Sequence, residues 1–229
     1  MNTFDYNQYL LNYPELKYMN EPMAIRHFQK FGQFEGRTDQ KEQKGNKITV
    51  ITPCTRVSNL HKLKESINFD HVCEWIIVYD SSKVEGNTKQ FEEFQSISEY
   101  FYTSEGISGN PQRNYALSVV NNKESYIYFL DDDNIIHPEL YKLSLLHNKI
   151  YTFDQEENNK LRLLGNKIAV GKIDSAMFLI WYPLIKETTF KIDKYDADGH
   201  FITECYGNNK EKLIYIPKIL CYYNFIAKQ

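Results

Sequence analysis

The chain has 229 residues, with 27 Lys or Arg against 30 Asp or Glu, which gives a formal net charge of −3. This length suffices for one domain of ordinary size and a small additional module. Because the basic residues are spread among acidic ones and form no basic stripe, we expect no nucleic-acid partner. The longest nearly apolar stretch, residues 176–185, is too short to span a bilayer, so we expect no membrane span.

The first 40 residues are predicted to form a separate helical hairpin. A helix start is indicated at residues 20–22, where a proline lies in the first turn. Ala24, Phe28 and Phe31 then recur at helical spacing before a stop at Gly32. Residues 6–11 can supply the partner helix, and residues 36–37 close the hairpin. The polar, unpatterned residues 39–46 predict a linker to a second domain over residues 47–229.

From residue 47 onward, strand and helix candidates alternate. Strands are predicted over residues 48–52, 75–79, 100–103 and 126–130, and helices over 60–67, 111–120 and from about Pro138. The strands are continuous apolar runs, which is typical of a mainly parallel sheet covered by helices on both faces. Further strands are predicted over 167–171, 177–180, 213–216 and 219–223. We therefore predict an α/β domain with two halves, residues 47–142 and residues 143–229.

Three consecutive aspartates, Asp131, Asp132 and Asp133, follow the strand predicted over residues 126–130. Ligands of such sheets bind outside the carboxyl ends of the strands, where Thr52 and Asp80 also lie. Adjacent carboxylates repel one another, and a hard divalent cation with oxygen ligands relieves this repulsion. The alternative is a solvated acidic turn that caps the next helix.

Three blocks in this order resemble the GT-A glycosyltransferases, and in particular the inverting glucuronyltransferases that use a nucleotide sugar. They are residues 48–53 (ITVITP) with 75–78 (WIIV), residues 112–117 (QRNYAL), and residues 128–134 (YFLDDDN). The resemblance covers about residues 47–142 and implies a Rossmann-like GT-A fold. Residues 4–37 resemble a small helical module often attached to glycosyltransferases.

The resemblance implies roles for the residues of the first half. Asp133 matches the family's ligand for Mn²⁺ or Mg²⁺, and Asp131 and Asp132 would bind the ribose and donor sugar or support the metal. The other matched positions line the uridine pocket or neighbour the phosphates and donor sugar; these residues are Thr52, Pro53, Asp80, Arg56 and Arg113. For Arg113 the alternative is a surface salt bridge.

In the second half, the resemblance suggests acceptor binding by Asp174 and a general base within residues 195–201 (YDADGHF). We favour Asp198 as the base because it precedes an apolar turn at a helix start. Asp196 is the second candidate and Glu204 the third. The alternative for each is a helix-capping acidic residue. The family's phosphate-facing histidine has no counterpart in residues 219–224, and the residues that recognise glucuronate find none either.

These features and the resemblance predict a metal-dependent enzyme that moves a sugar from a UDP-sugar to a hydroxyl of a glycan, protein or small-molecule acceptor. The resemblance alone implies that the transfer proceeds with inversion. The alternative is a non-catalytic module that binds a nucleotide sugar or glycan. A nucleotidyltransferase is disfavoured because residues 53–57 form no glycine-rich phosphate loop. The cysteines show no CxxC pairing and the first residues no signal-peptide pattern, so we expect reduced thiols and a cytoplasmic location.

Overall fold

The computed structural model describes residues 4–35, 37, 39, 48–86 and 89–226. Its N-terminal part contains helix α1 (Tyr6–Asn12), a 3₁₀ turn and helix α2 (Glu21–His27), which continues as a π-helical turn over Phe28–Gly32. The predicted helix start is confirmed, because the Asn20 side chain accepts a hydrogen bond from the Met23 amide (3.1 Å) and caps α2.

The N-terminal helices enclose a small apolar cluster of their own, formed by Tyr9, Leu16 and Ala24. Phe31, expected on the same face, is 55% exposed, because the π-helical turn shifts the helical phase. The Tyr13 hydroxyl donates to Ser144 Oγ of the following part of the chain (3.2 Å). Of the predicted linker only Asp39 is described, and residues 40–47 and Gly36 lie outside the described part.

The remaining described residues build a mixed sheet in the order β3-β2-β1-β4-β8-β6-β9-β5, with β7 paired to β6. Its strands are β1 (Ile48–Cys54), β2 (Val72–Asp80), β3 (Ile97–Tyr102), β4 (Tyr126–Phe129), β5 (Ile135–Ile136), β6 (Ile150–Glu157), β7 (Lys160–Leu163), β8 (Phe178–Trp181) and β9 (Leu213–Tyr222).

The first four strands are parallel, as the continuous apolar runs predict. Helix α3 (Leu60–Ser66) connects β1 to β2, and helix α4 (Asn110–Val119) connects β3 to β4. Because Ile51 of β1 pairs with Phe129 and Cys54 pairs with Tyr79, the carboxyl ends of β1, β2 and β4 lie at one edge of the sheet.

The second half departs from the prediction in several elements. Instead of the predicted strand, residues 167–171 form an irregular segment that ends in a turn, in which Gly171 has a φ of +71° and the Lys172 amide donates to Ala169 O (3.0 Å). The missed strand β6 pairs antiparallel with β8 and parallel with β9. One strand, β9, replaces the two predicted over 213–223, and a 3₁₀ turn (Pro138–Lys142) replaces the helix expected there.

Helix α5 (Ala197–Gly207) is fixed against the sheet by aromatic packing. The Phe201 and Phe190 rings stack with centroids 4.2 Å apart, and Phe129 of β4 meets Phe201 edge-on at 5.6 Å. All three are buried, and each buried phenyl group contributes about 1.5–3 kcal/mol. The start of α5 is thereby held beside the end of β4. The four cysteines are free thiols, and within the described residues no helix has the length and apolarity needed to cross a membrane.

Candidate functional site

A cleft runs along the edge where β1, β2 and β4 end. It consists of two adjoining cavities of about 270 and 280 Å³, here called the first and the second cavity. Residues lining both cavities form their common wall; these are Ser108, Arg113, Asp131, Tyr195 and Tyr223.

The cleft brings together most of the residues singled out in the sequence. The first cavity is lined by Pro53, Arg56, Asp80, Arg113, Asp131, Asp132 and Asp133. The second is lined by Arg113, Asp131, Asp174, Asp196 and Asp198. Strand ends therefore supply one side of the cleft, and the start of α5 supplies the other.

Two of the residues singled out in the sequence, Thr52 and Glu204, lie outside the cleft. Thr52 is fully buried, and its hydroxyl oxygen accepts a hydrogen bond from Trp75 Nε1 (2.9 Å). It lies two residues before the end of β1, inside the sheet layer. Glu204 is exposed, and its Oε1 accepts a hydrogen bond from the Thr188 hydroxyl (3.4 Å). It lies six residues after Asp198 on α5 and therefore on another face of the helix.

Asp132 joins the turn after β4 to the end of β1. Its Oδ2 accepts hydrogen bonds from the amides of Thr55 (2.7 Å) and Arg56 (2.8 Å), and its Oδ1 accepts one from Arg56 Nε (2.8 Å). The side chain is almost completely buried. A carboxylate with this many donors is stabilised as an internal link. Asp132 thus links β1 to β4, and it also lines the first cavity, where its predicted role toward the ribose, donor sugar or metal stays a prediction.

Asp133 points into the first cavity beside Arg56. Arg56 Nη2 lies 2.8 Å from Asp133 Oδ2 and 2.6 Å from Asp132 Oδ1. Burial raises the pKa of Asp133 to about 6; Arg56 opposes this, and the neighbouring carboxylates of Asp131 and Asp132 add to it. The negative charge at this position is therefore only partly compensated by the protein.

The carboxylate of Asp133 fits a hard divalent cation that takes one part of its ligands from the protein and the other part from a substrate. The carboxylate is desolvated and faces further carboxylates, which a dication would relieve. Within the described residues, no group of three His, Cys, Asp or Glu side chains is placed to hold an ion without other ligands. Such a site suits Mg²⁺ or Mn²⁺, which commonly completes its coordination with phosphate oxygens and water.

Arg113 is an internal residue of the cleft wall, which excludes the surface salt bridge considered above. It is 6% exposed, binds the Asp131 carboxylate, and donates from Nη1 to Ser108 O (2.6 Å). Its turn is shaped by Gly109, which has a φ of +71° and where a Cβ would lie 2.6 Å from Pro53 Cβ. Only glycine allows this approach of α4 to β1.

Asp198 occupies the first turn of α5 and faces the second cavity. Its Oδ1 accepts a hydrogen bond from the Gly199 amide (2.8 Å). Burial and the negative charge of Asp174 raise the pKa of Asp198 to about 6. Asp196, by contrast, has a half-exposed side chain 3.7 Å from His200 Nε2. Asp198 is therefore more basic than an ordinary aspartate.

Asp174 also lines the second cavity. Its Oδ1 accepts a hydrogen bond from the Ala176 amide (3.0 Å) and caps a 3₁₀ turn (Ser175–Met177), and Arg162 Nη1 lies 3.5 Å from its Oδ2. Burial, and then the charge of Asp131, raise the pKa of Asp174. The cavity thus holds several carboxylates that repel one another.

Several lining residues were not identified from the sequence. Tyr195, Tyr223 and Arg162 line the second cavity, and the Arg162 guanidinium lies 3.6 Å from the Tyr223 ring centroid. Arg162 follows the missed strand β6, so no signal in the sequence placed it near the aspartates. The loop before α4 carried a signal in Gly106 and Gly109, since paired glycines mark a turn of special geometry.

No family model and no curated protein matches the sequence. The fold is similar to that of S. aureus TarS residues 1–349 (TM-score 0.56, 17% identity), with 77% of this chain and 60% of that chain covered. The complex of the same fragment with UDP-GlcNAc has a TM-score of 0.56 at 16% identity, with coverage of 77% and 58%.

A further similar structure is glucosyl-3-phosphoglycerate synthase from Mycobacterium tuberculosis in complex with Mn²⁺, UDP and glucosyl-3-phosphoglycerate. It has a TM-score of 0.54 at 11% identity, and the alignment covers 83% of this chain and 74% of that one. Of the TarS fragment named above, this chain spans about 60% of the length. At these identities the likeness shows the fold, and the predicted GT-A architecture is confirmed.

Proposed function

We propose that the protein transfers a sugar from a UDP-sugar to an acceptor hydroxyl with inversion, using Mn²⁺ or Mg²⁺. The observation that supports this proposal is a single cleft with two adjoining cavities. The strand-end aspartates line the first cavity, Asp198 lines the second, and Arg113 and Asp131 lie in the wall common to both. The similarity in fold to structures that contain UDP, UDP-GlcNAc or Mn²⁺ supports it.

In this proposal the first cavity binds the nucleotide diphosphate. Asp133 would hold the divalent cation, which when bound neutralises the negative charge that the departing diphosphate develops. Arg56, whose side chain is about half exposed at the cavity, supplies a further cation toward the phosphates. Arg113 fixes Asp131 at the boundary between donor and acceptor.

The uracil would lie against the end of β2. Burial acts to raise the pKa of Asp80, but hydrogen bonds from the Ser82 hydroxyl and amide and the charge of Lys83 outweigh it, so that the pKa is lowered. Asp80 is therefore ionised at neutral pH and is suited to accept a hydrogen bond from a base N–H. Pro53 lines the same cavity.

Asp198 acts as the general base in the second cavity, where Asp174 binds the acceptor. The acceptor oxygen attacks the anomeric carbon, the bond from that carbon to the diphosphate oxygen breaks, and the hydroxyl proton passes to the Asp198 carboxylate. A pKa of about 6 leaves Asp198 mostly ionised at neutral pH and more basic than an ordinary aspartate. Attack from the face opposite the leaving group inverts the anomeric configuration.

The first test is binding and slow hydrolysis of UDP-glucose, UDP-galactose and UDP-N-acetylglucosamine with Mn²⁺ present or chelated. We expect Mn²⁺-dependent binding of UDP and hydrolysis of at least one of these sugars. Binding without hydrolysis, unchanged in Asp198→Asn, supports the alternative of a non-catalytic module. Absence of Mn²⁺-dependent UDP binding contradicts the proposal as a whole.

The compartment belongs to the same proposal. Cys54, Cys73, Cys205 and Cys221 are free, which agrees with a reducing environment, and we propose that the protein is cytoplasmic.

A further inference from the structure

The second cavity carries an excess of negative charge. Its lining contains four aspartates and two arginines, a formal excess of two negative charges when all are ionised; the charged residues are Asp131, Asp174, Asp196, Asp198, Arg113 and Arg162. An acceptor entering this cavity therefore meets carboxylate oxygens on several sides.

Both arginines of the second cavity are already engaged by the protein. Arg113 is buried and binds Asp131. Arg162 binds the Gln155 side-chain oxygen, and its guanidinium lies 3.5 Å from Asp174 and 3.8 Å from Glu157. An anionic acceptor that drew Arg162 away would leave the buried Asp174 without its counter-ion, which is unfavourable.

Carboxylates also select the chemistry of a ligand through hydrogen bonding. An ionised carboxylate only accepts hydrogen bonds, so a matching ligand must offer several donors. A phosphate or carboxylate group offers none at neutral pH and is repelled by the aspartates. A sugar offers a hydroxyl donor on most of its carbons without adding negative charge.

Tyr195 provides an aromatic surface at the junction of the two cavities. The residue is 85% exposed although it lines both of them. The other tyrosine of the common wall, Tyr223, has the Arg162 guanidinium over its ring at 3.6 Å. Tyr195 therefore presents a solvent-exposed aromatic ring next to the carboxylates, and the apolar face of a sugar can pack on this ring.

We infer that the acceptor is a carbohydrate without anionic groups, that it packs on Tyr195, and that the second cavity rejects phosphorylated sugars. This inference rests on the proposed function, because it names the acceptor class of the same site. Tyr195 acts in it as a specificity-determining residue rather than in the proton transfer.

The test compares matched sugars by calorimetry or ligand-observed NMR on the full chain saturated with UDP and Mn²⁺. The neutral probes are glucose, galactose and N-acetylglucosamine, and each is paired with the same sugar phosphorylated at its primary hydroxyl. At least one neutral probe should bind about tenfold or more tightly than its phosphorylated partner, equal to about 1.4 kcal/mol. Raising the salt concentration should narrow this gap, since the discrimination is electrostatic.

Variants separate stacking from a structural effect. Tyr195→Ala should weaken binding of the neutral sugar about tenfold, within the range of aromatic packing energies, while Tyr195→Phe retains it. Because Tyr195 also lines the first cavity, sugar affinities are compared with each variant saturated by UDP and Mn²⁺, as shown by a UDP titration of that variant. Equal or tighter binding of the phosphorylated sugars, binding of none of the neutral ones, or an unchanged affinity in Tyr195→Ala overturns the inference.

These outcomes are distinct from a failure of the proposed function. That failure appears as loss of Mn²⁺-dependent UDP binding, which is measured first on the same sample. If UDP binds and only the acceptor results differ, the acceptor class alone is wrong.

Discussion

The carboxylates of Asp132 and Asp80 in the first cavity differ from that of Asp198 in the second in the hydrogen bonds that they accept. In the first cavity Asp132 is bound by the amides of Thr55 and Arg56, and Asp80 by Ser82. In the second cavity the hydrogen bond to Asp198 comes from the adjacent amide of Gly199. Asp132 and Asp80 are therefore held by internal hydrogen bonds, whereas Asp198 on the α5 side is bound by its neighbour's amide and has a raised pKa.

Replacing the proposed base should have the largest effect on transfer. The change affects the α5 side of the cleft and leaves the strand-end side intact. Asp198→Asn keeps the shape of the side chain and loses the proton acceptor, so transfer should fall by about 10²- to 10⁴-fold. UDP affinity with Mn²⁺ should stay unchanged, since the first cavity is not altered. Steady-state transfer assays and UDP titrations on the same preparation measure the two effects.

The matched controls for this prediction are Asp196→Asn and Glu204→Gln. Asp196 is half exposed and Glu204 lies outside the cleft, so each change should lower the rate much less. If Asp198→Asn transfers sugar at the normal rate and one of the other two does not, the base is misassigned. If all three variants remain active, the inverting mechanism is wrong.

Removing the proposed metal ligand tests the strand-end side. Asp133→Ala should weaken Mn²⁺-dependent UDP binding at least about tenfold, or about 1.4 kcal/mol, and should lower transfer with it. Without metal its melting temperature should be equal or higher, because carboxylate repulsion is relieved. Asp132→Ala is the contrasting variant, since loss of an internal link should lower the melting temperature. Undiminished Mn²⁺-dependent UDP affinity in Asp133→Ala would contradict the assignment.

The pH dependence sharpens the comparison without mutation. The pKa of Asp198 is raised from 3.8 to about 6, so the base is ionised above pH 6 and protonated below it. With saturating Mn²⁺ and UDP-sugar, the rate should be level above this pH and fall about tenfold for each unit below it. A profile that stays level to pH 5 would show that the proton acceptor has an ordinary pKa.

A smaller effect is expected at Arg56, which pairs with Asp133 (2.8 Å). Arg56→Gln should tighten binding of Mn²⁺ alone a few-fold, because the competing cation is gone, and should weaken binding of UDP. Lys83→Gln is the matched control, since Lys83 lines the same cavity but lies 3.4 Å from Asp80 instead. Binding of Mn²⁺ is measured by calorimetry without nucleotide. Weaker binding in Arg56→Gln would show that Arg56 does not compete with Mn²⁺ for the Asp133 carboxylate.

The smallest effect on the cleft is expected from deleting residues 1–40. Among the described residues, none that lines either cavity comes from this segment, and the Tyr13 hydroxyl donates a hydrogen bond to Ser144 of the strand-bearing part. UDP affinity should be unchanged, while solubility falls if the exposed contact surface is apolar. A deletion variant that folds normally but no longer binds UDP would show that the hairpin belongs to the site.

The sequence predicts the strand-end side of the cleft better than the α5 side. Continuous apolar strands such as β2 and β4 are buried on both faces, and the polar residues after them mark the cleft edge. Strand β6 was not predicted because it is not a continuous apolar run. It buries Thr152 and Gln155, and its pairing with β9 contains two register shifts. Pairings of this kind depend on the whole fold, so Arg162 could not be placed from local pattern.

The roles within the aspartate run also required the structure. Three adjacent aspartates look alike in a sequence, yet Asp132 is turned inward to the end of β1 and Asp133 outward to the cavity. Thr52 was misplaced for the same reason, because the alternation of side chains along β1 directs it to Trp75. The strand ends could be located, but not the direction in which each side chain points.

The inward bond of Asp132 also has a consequence for folding. It connects the turn after β4 to Thr55 and Arg56, which precede it by 77 and 76 residues, so the strand-end side of the cleft exists only after a long loop has closed. A partly folded chain that has assembled one of these segments without the other has no such edge. Any ligand of the first cavity therefore binds the completed fold selectively, and its binding free energy stabilises the whole domain against unfolding.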